Sequence, residues 1–401
     1  MTRLMATGVA LFVLFVGAAA PAAAQPIPPE GPAINPSIYK VPAGAKTVAV
    51  DCDDTKQTLA AAVADRTAGD LNVVFSGTCR EYVYLNRDNV AIRGKDSTAT
   101  IIGGIEITGS RRVLLEGFTC RDTTQQEYCI GAIAGSSVTL HNMKVANASI
   151  RGVLYLHSVG IIDGLTVEKT GSTSILVRGS NVQMEGELTF LNTIEGCVVI
   201  DNVSSVFSKG GALTARNCAV GIVVQSNSNF YAPFANFTLN ANSFAGLMLL
   251  TQGTFSYGGT VTAKNNTRAG ILIEDGSSFS PFTNISSGAA LTLENNGRAG
   301  VMVRGGSFAE LANVAANTGS TYGVLVEDAR LQVARAKIVA NTTADIRLQF
   351  GARATLLEGA EYGSLSCDGT ELLRGAKAPC TKEAAKPKPT ASKSSGQPDE
   401  Q

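Results

Sequence analysis

The feature that most constrains the fold is a short sequence unit that recurs about every 22 to 30 residues. Each copy has a turn that usually carries Asn, then a small residue, then a short apolar run. The small residue, called the anchor below, stands at nine positions: Gly152, Ser174, Gly196, Gly221, Gly246, Gly270, Gly300, Gly323 and Asp345. A repeat of this length indicates a solenoid, in which each unit buries its apolar face only by stacking on its neighbours.

The residues that follow each anchor are mostly β-branched or aliphatic, which favours strands over helices. The regular leucine spacing of a leucine-rich repeat is absent. Parallel strands about 4.8 Å apart, joined by right-handed connections, fit the pattern. The sequence therefore predicts an all-β fold, a single-stranded right-handed parallel β-helix. The Ala-rich stretch from Thr55 to Asp65 is expected to be a short N-terminal capping helix over the first coil.

Asparagine recurs in the turns. Six copies stand four residues before an anchor, and two more are slightly displaced: Asn192, Asn217, Asn242, Asn266, Asn296 and Asn341, with Asn147 and Asn317. Asn tolerates left-handed turns, and its amide can hydrogen bond along a stack of equivalent turns. This spacing predicts an asparagine ladder. N-glycosylation is the alternative, because sequons such as Asn236-Phe237-Thr238 occur.

The two ends of the chain differ in composition from the repeats. Residues 1–25 have Arg3, an apolar run and the small residues Ala22-Ala23-Ala24, the pattern of a cleaved signal peptide. We expect an N-terminal extension at 26–50, the capped β-helix at 51–380 and a disordered tail at 381–401. The protein is then exported, periplasmic or secreted. No later apolar run is long enough for a membrane span.

Charge and cysteine content limit the class of protein further. Lys+Arg and Asp+Glu both number 33, so there is no general electrostatic case for nucleic-acid binding. Eight cysteines in an exported chain are consistent with disulfides. The local pairs Cys52 and Cys79, Cys120 and Cys129, and Cys367 and Cys380 are the disulfide candidates. Cys197 and Cys218 stand at different positions of their repeats and are expected to be buried thiols.

A series of short segments precedes the repeats: Asp51-Cys52, Val73-Val74-Phe75, Gly77-Thr78-Cys79-Arg80-Glu81, Val90-Ala91-Ile92-Arg93-Gly94 and Ile101-Ile102-Gly103-Gly104. With the coils that follow, this series resembles the opening of pectate-lyase-like right-handed parallel β-helix proteins of bacterial type, over roughly residues 45 to 365. The resemblance implies the fold. It does not choose an activity, because this superfamily includes polysaccharide lyases, polygalacturonases, pectin esterases, epimerases, phage tailspikes and noncatalytic surface proteins.

Strand alternation predicts which side chains face outward. The first and third residues after an anchor should point inward and the second outward. The outward set is an apolar stripe: Leu154, Leu176, Val198, Val223, Met248, Leu272, Met302 and Leu325. Such a stripe is either covered by another part of the chain or is a partner surface, self-association included. A third option is that the outward face is assigned wrongly.

Charged residues follow several of these strands. Glu274, Arg304 and Glu327 fall on successive repeats with alternating sign, which predicts a surface charge ladder. The pairs Glu274-Asp275 and Glu327-Asp328 offer oxygen ligands for calcium, although Arg304 between them opposes it. Otherwise neither a cofactor nor a metal site is expected, since CxxC and paired-His spacings are absent.

Two sets of polar residues are candidates for catalysis. His141, Asp163 and Glu185 are 22 residues apart, and stacked on adjacent coils they could act as general acid and base. His157, Arg178 and Asp201 follow strands, where they could bind a uronate and abstract a proton. For each set the alternative is a polar surface ladder.

Other observations count against an enzyme. The chain has two His and no Trp, and the Asp-Asp and Gly-His-Gly combination of polygalacturonases is absent. We therefore expect an exported noncatalytic scaffold that binds a polysaccharide or an envelope protein. The alternatives are a divergent lyase, hydrolase or epimerase acting on acidic polysaccharide, and a self-associating surface protein.

Overall fold

The computed structural model describes residues 41, 44–54, 56–64, 69–122, 126–282, 289–375 and 380–382. All of them belong to one compact unit, Ile38–Gln401. The expected signal peptide, most of the expected N-terminal extension and residues 383–401 of the expected tail lie outside the described residues.

The described residues form 37 strands and one short helix. In chain order they are β1 Lys46–Asp51, α1 Leu59–Ala64, β2 Leu71–Ser76, β3 Thr78–Arg80, β4 Val83–Leu85, β5 Val90–Gly94, β6 Thr100–Ile102, β7 Ile105–Thr108, β8 Val113–Glu116, β9 Thr119–Arg121, β10 Tyr128–Ile133, β11 Ser137–Ala146, β12 Arg151–Leu156, β13 Val159–Glu168, β14 Thr173–Arg178, β15 Asn181–Leu191, β16 Gly196–Asp201, β17 Ser205–Ser208, β18 Ala212–Arg216, β19 Val220–Val224, β20 Asn229–Ala232, β21 Asn236–Asn240, β22 Ala245–Leu249, β23 Thr254–Tyr257, β24 Thr260–Lys264, β25 Ala269–Ile273, β26 Ser278–Pro281, β27 Ala290–Glu294, β28 Ala299–Arg304, β29 Phe308–Thr318, β30 Tyr322–Glu327, β31 Arg330–Ile338, β32 Ala344–Gln349, β33 Arg353–Leu356, β34 Glu361–Tyr362, β35 Leu365–Cys367, β36 Leu372–Arg374 and β37 Thr381–Lys382.

These strands make two parallel sheets that wind around one axis. The 14-strand sheet takes one strand from each coil, from β4 to β37, and holds the anchors and the apolar runs. The 23-strand sheet holds the remaining strands. Each strand pairs with the strand one coil away, as β25 does with β22 and β28. The β-helix expected from the sequence is confirmed. In this part of the chain, no helix is long and apolar enough to cross a membrane.

The first coil begins slightly earlier than the sequence suggests. Strand β1 starts at Lys46, within the expected extension, and pairs in parallel with β2. The helix α1 follows it, and its first backbone N–H groups are held by the next coil. Glu81 accepts hydrogen bonds from Leu59 N at 2.7 Å and from Ala60 N at 2.9 Å. A carboxylate at this end of a helix satisfies N–H groups that lack partners within the helix.

A single apolar core fills the solenoid from Val50 to Cys367. The first and third residues after the anchors point into it as expected: Ile271, Ile273, Val301 and Val303 are all 0% exposed. Apolar burial of this extent is the main driving force for folding. Because each coil buries its apolar side only against its neighbours, the same inward pattern must recur in every coil.

The asparagines form two columns instead of the single predicted ladder. In the buried column, Asn242 Nδ2 donates to Asn266 Oδ1, and Asn266 Nδ2 donates to Asn296 Oδ1, both at 3.0 Å. Asn192 and Asn217 stand one position earlier, at φ values of 58° and 57°, and pair at the surface through a 3.1 Å hydrogen bond. The prediction of one ladder was wrong because the turn before the anchor is one residue shorter in some coils.

Four disulfides are present: Cys52–Cys79, Cys120–Cys129, Cys197–Cys218 and Cys367–Cys380. Three of them match the candidates from the sequence. The expectation of buried thiols at Cys197 and Cys218 was wrong, because coil stacking brings these positions together.

The coil that holds Cys197 has a different register from the one expected from the sequence. Gly196 pairs with Val220 and Val198 with Ile222, so Cys197, and not Gly196, is level with the anchor Gly221. Cys218 donates its backbone N–H to Asn242 Oδ1 at 3.1 Å and so stands at the head of the buried asparagine column. The bridge therefore joins an anchor position to an asparagine position.

Candidate functional site

A column of charged residues, the polar ladder, runs along the outward side of the 23-strand sheet. Its members face one another on successive coils: Arg93, Glu116, His141, Asp163, Glu185 and Lys209. The predicted set His141, Asp163 and Glu185 thus lies at equivalent positions. Sequence reasoning missed the other three members. A usable signal was present, because most members precede a Gly or Asn that turns the chain, as in Glu116-Gly117.

The groups of the polar ladder pair with one another. Arg93 Nε lies 2.7 Å from Glu116 Oε2, and His141 Nδ1 lies 3.0 Å from Asp163 Oδ2. The second ring nitrogen, His141 Nε2, lies 3.0 Å from Asn142 Nδ2 and 3.8 Å from Glu116 Oε1. His141 is therefore held between two carboxylates, with both nitrogens engaged. The side chains of Glu116, His141 and Asp163 are about one-quarter to one-third exposed.

The second predicted set is only partly brought together. Arg178 donates from Nε and Nη2 to Asp201 Oδ2, at 3.0 and 2.8 Å. Arg178 pairs in register with Leu156, so His157 is one residue out of line, in a turn with φ of 50°. A Cβ on Gly179 would lie 2.5 Å from the imidazole Cδ2, which shows that the ring covers this glycine. The grouping of His157 with Arg178 and Asp201 is not formed.

Asp201 is a buried carboxylate that stays ionised. Burial raises its pKa, but hydrogen bonds from Ser226, Arg178 and Gln225 and the charge of Arg178 lower it by more. The net direction is below the ordinary value of an aspartate. A carboxylate in this state is a weak base, so Asp201 is better suited to fixing Arg178 than to accepting a proton.

The expected charge ladder is present at the ends of three strands of the 14-strand sheet. Glu274 pairs with Arg304, and Arg304 is level with Glu327. Glu327 also accepts from Arg298 Nη2 at 3.5 Å. Arg298 precedes β28, whereas Glu327 ends the adjacent β30. The Arg298–Glu327 pair therefore crosses the outward face of the sheet.

The later members of the apolar stripe lie on the same face as this pair and pack with Phe244 and Tyr322. Leu272 and Met302 are 0% exposed and Leu325 is 1% exposed, although all three point away from the core. Arg and Glu side chains can cover apolar surface with their methylene groups while their charged ends meet. The part of the stripe from Leu272 to Leu325 is therefore covered within the chain, whereas Met248 is only partly buried.

One member of the predicted stripe was wrong. Val198 is register partner to Ile175 and Ile222 and belongs to the core. Val199 takes its place, level with Leu176 and Val223. The other seven predicted members do face outward: Leu154, Leu176, Val223, Met248, Leu272, Met302 and Leu325.

A cluster that sequence reasoning missed lies in the earlier coils of the same face. Glu106 Oε2 accepts hydrogen bonds from Tyr82 Oη at 2.5 Å and from Tyr128 Oη at 2.7 Å. Thr108 Oγ1 donates to Glu106 Oε1 at 3.1 Å. Glu106 is level with Leu154 through Gly131, so it occupies the outward position of its coil. Aligning the coils before Gly152 would have revealed it.

The three groups of this cluster shift one another's pKa values. Burial raises the pKa of Glu106, but the hydrogen bonds from Tyr82, Tyr128 and Thr108 outweigh it, so the net direction is downward. Burial and the hydrogen bond to Glu106 raise the pKa of Tyr128 to about 12 and also raise that of Tyr82. At neutral pH the cluster is one carboxylate with two neutral phenols.

Comparison with known proteins finds likeness in the fold only. No family model matches the chain, and no curated protein matches it. Among solved structures, the mannuronan C-5 epimerase AlgE6 A-module of Azotobacter vinelandii is 12% identical with a TM-score of 0.45, over 81% of this chain and 92% of that one. A mutant of the periplasmic alginate epimerase AlgG is 14% identical with a TM-score of 0.45, over 77% and 84%. The PL6 family alginate lyase AlyGC is 9% identical with a TM-score of 0.28, over 78% and 76%.

Proposed function

We propose that this protein is an exported, noncatalytic β-helix scaffold that binds a polysaccharide. The observation that carries the proposal is the pairing of the groups that the sequence offers for acid–base chemistry. A general base needs a free lone pair within reach of its substrate. Both ring nitrogens of His141 already have partners within the polar ladder, and Asp201 is bound by Arg178.

Export is consistent with the four disulfides, because such bonds persist in oxidising compartments outside the cytoplasm. A rigid stack of coils presents rows of side chains at a constant step. An extended polymer with its own constant repeat is the kind of ligand that such a surface matches.

The experiment measures binding and chemistry together. The exported form of the protein is incubated with acidic and neutral polysaccharides, and retention in affinity gels is compared with chain shortening and unsaturated-uronate absorbance. We expect retention by at least one polysaccharide with no product. Product formation that is lost in His141→Ala or Asp201→Ala, with circular dichroism unchanged, contradicts the proposal.

A second candidate, a polysaccharide-modifying enzyme, is favoured by the cluster of Tyr82, Glu106 and Tyr128. A neutral phenol held against a carboxylate can donate a proton to a sugar oxygen, which is a role for a general acid. The raised pKa of Tyr128 keeps the phenol protonated at neutral pH but also makes it a weak acid, so this candidate ranks second. If the polysaccharide panel yields product, Tyr128→Phe and Glu106→Gln should abolish it while His141→Ala leaves it unchanged.

A further inference from the structure

Three aromatic side chains lie together on the outward side of the 23-strand sheet. Phe207 and Tyr231 are register partners on neighbouring coils, with ring centroids 5.7 Å apart and an interplanar angle of 21°. The ring of Phe282 meets that of Tyr231 edge-on at 4.2 Å. Phe234 follows β20 in the next bend and is 60% exposed. Phe207, Tyr231 and Phe282 are called the aromatic patch.

The aromatic patch begins where the polar ladder ends. Lys209, the last member of the polar ladder, follows Phe207 by two residues. Its Nζ is 3.9 Å from Glu185 Oε1, and its side chain is 59% exposed. Ser256 and Ser280 continue the column of Phe207 and Tyr231 on the next two coils. Aromatic rings are thus flanked by an ammonium group and two hydroxyls.

The aromatic patch is partly exposed to solvent. Phe207 and Tyr231 are 37% and 44% exposed, although aromatic residues make up only 6% of the sequence. The centroid distance and nearly parallel planes are those of a stacked pair, and the exposed fractions leave part of each side chain open to solvent. Even with the nearby Phe234 added, these aromatic side chains present roughly 300 Å². A stable dimer interface needs about 800 Å² on each partner, so the patch is too small for a second copy of this chain.

We propose that the aromatic patch binds the sugar rings of an extended pyranose glycan that runs parallel to the solenoid axis. This inference rests on the polysaccharide-binding function proposed above and names the site. Successive coils are about 4.8 Å apart, a step comparable to one sugar unit of an extended chain. Phe207 and Tyr231 then contact the apolar C–H faces of successive sugars. Lys209, Ser256 and Ser280 hydrogen bond to sugar hydroxyls.

The test uses the full exported chain and hexasaccharides of β-1,4-linked glucose, N-acetylglucosamine and mannuronate, with binding measured by calorimetry. Phe207→Ala and Tyr231→Ala should each weaken the best-bound hexasaccharide by about tenfold. The matched control is Phe350→Ala, since Phe350 is 65% exposed but lies far along the chain, outside the aromatic patch. The control should leave binding unchanged.

The possible outcomes distinguish this inference from the proposed polysaccharide-binding function on which it rests. Tight binding that survives both aromatic substitutions overturns the inference and leaves the scaffold function standing. No binding to any hexasaccharide or polysaccharide overturns both. If light scattering shows a dimer that Tyr231→Ala converts to a monomer, the patch is a contact between copies and the inference is wrong. Unchanged circular dichroism of the variants shows that lost binding is not lost folding.

Discussion

The buried asparagine column makes a strong prediction for Asn266→Ala. The Asn266 side chain is 1% exposed and takes part in four hydrogen bonds. Its Nδ2 donates to Asn296 Oδ1 at 3.0 Å and to Leu239 O at 2.9 Å. Its Oδ1 accepts from Asn242 N and Asn242 Nδ2, both at 3.0 Å. An alanine here removes all four bonds at once.

Two of the groups that bond to Asn266 keep another partner when the amide is removed, and two do not. Asn296 Oδ1 keeps the backbone N–H of Asn266, and Asn242 Nδ2 keeps Ala215 O. Asn242 N and Leu239 O lose the amide that held them. Each buried group left without a partner costs about 1–3 kcal/mol. We therefore expect the free energy of unfolding to fall by about 2–5 kcal/mol, a large share of the stability of a typical domain.

Equilibrium urea unfolding followed by circular dichroism measures this change. The control is Asn217→Gly, which removes one exposed amide hydrogen bond, to Asn192, and keeps a residue that tolerates the φ of 57°. The control should cost less than about 1 kcal/mol, because water replaces the lost partner. The reasoning is refuted if Asn266→Ala is no more destabilising than this control.

Three further perturbations follow from the structure. The double substitution Cys197→Gly with Cys218→Asn replaces the bridge by the anchor and asparagine of later coils. In thermal unfolding it should lose less stability than Cys197→Ser with Cys218→Ser, which should lose about 2–4 kcal/mol. An equal loss of stability would show that these positions are not equivalent. Gly270→Ala should cost about 1–3 kcal/mol in urea unfolding, because its Cβ would lie 2.7 Å from Gly300 O. The control Gly210→Ala, with open space around it, should cost nothing. Similar effects of the two substitutions would count against this packing. The depressed pKa of Asp201 means that its ionised form stabilises the fold above about pH 4, by about 1 kcal/mol for a pair with a half-exposed Arg. This contribution is lost as pH falls through the folded-state pKa. The stability difference between wild type and Asp201→Asn should therefore shrink below about pH 4, and a constant difference would exclude this role.

The fold was largely predictable, and the candidate site was predictable only in part. The inward positions followed from alternation along each strand, as for Ile271 and Ile273. The column of His141 and Asp163 followed from equal spacing in coils of equal length. Arg93 and Glu116 belong to the same column but precede the region in which the repeat is regular, so spacing alone did not find them.

The wrong predictions about the asparagine ladder and Val198 share one physical cause. Counting from the anchor gives the position of a residue only when the intervening turns have the same length. A turn that is one residue shorter moved Asn217 into a different column from Asn242, and the anchor shift to Cys197 moved Val198 into the core. The hydrogen bonds between coils set the register, and they join residues that are more than 20 positions apart.

By itself, the sequence determined the solenoid, its inward pattern and three of the disulfides, because these depend on local alternation and on a regular repeat. The tertiary structure decided what the outward faces do. It placed Arg298 against Glu327 and closed the bridge between Cys197 and Cys218. It also gathered Phe207, Tyr231 and Phe282 into one patch. These contacts join different coils, and their geometry depends on turn lengths and side-chain reach that a repeat pattern does not contain.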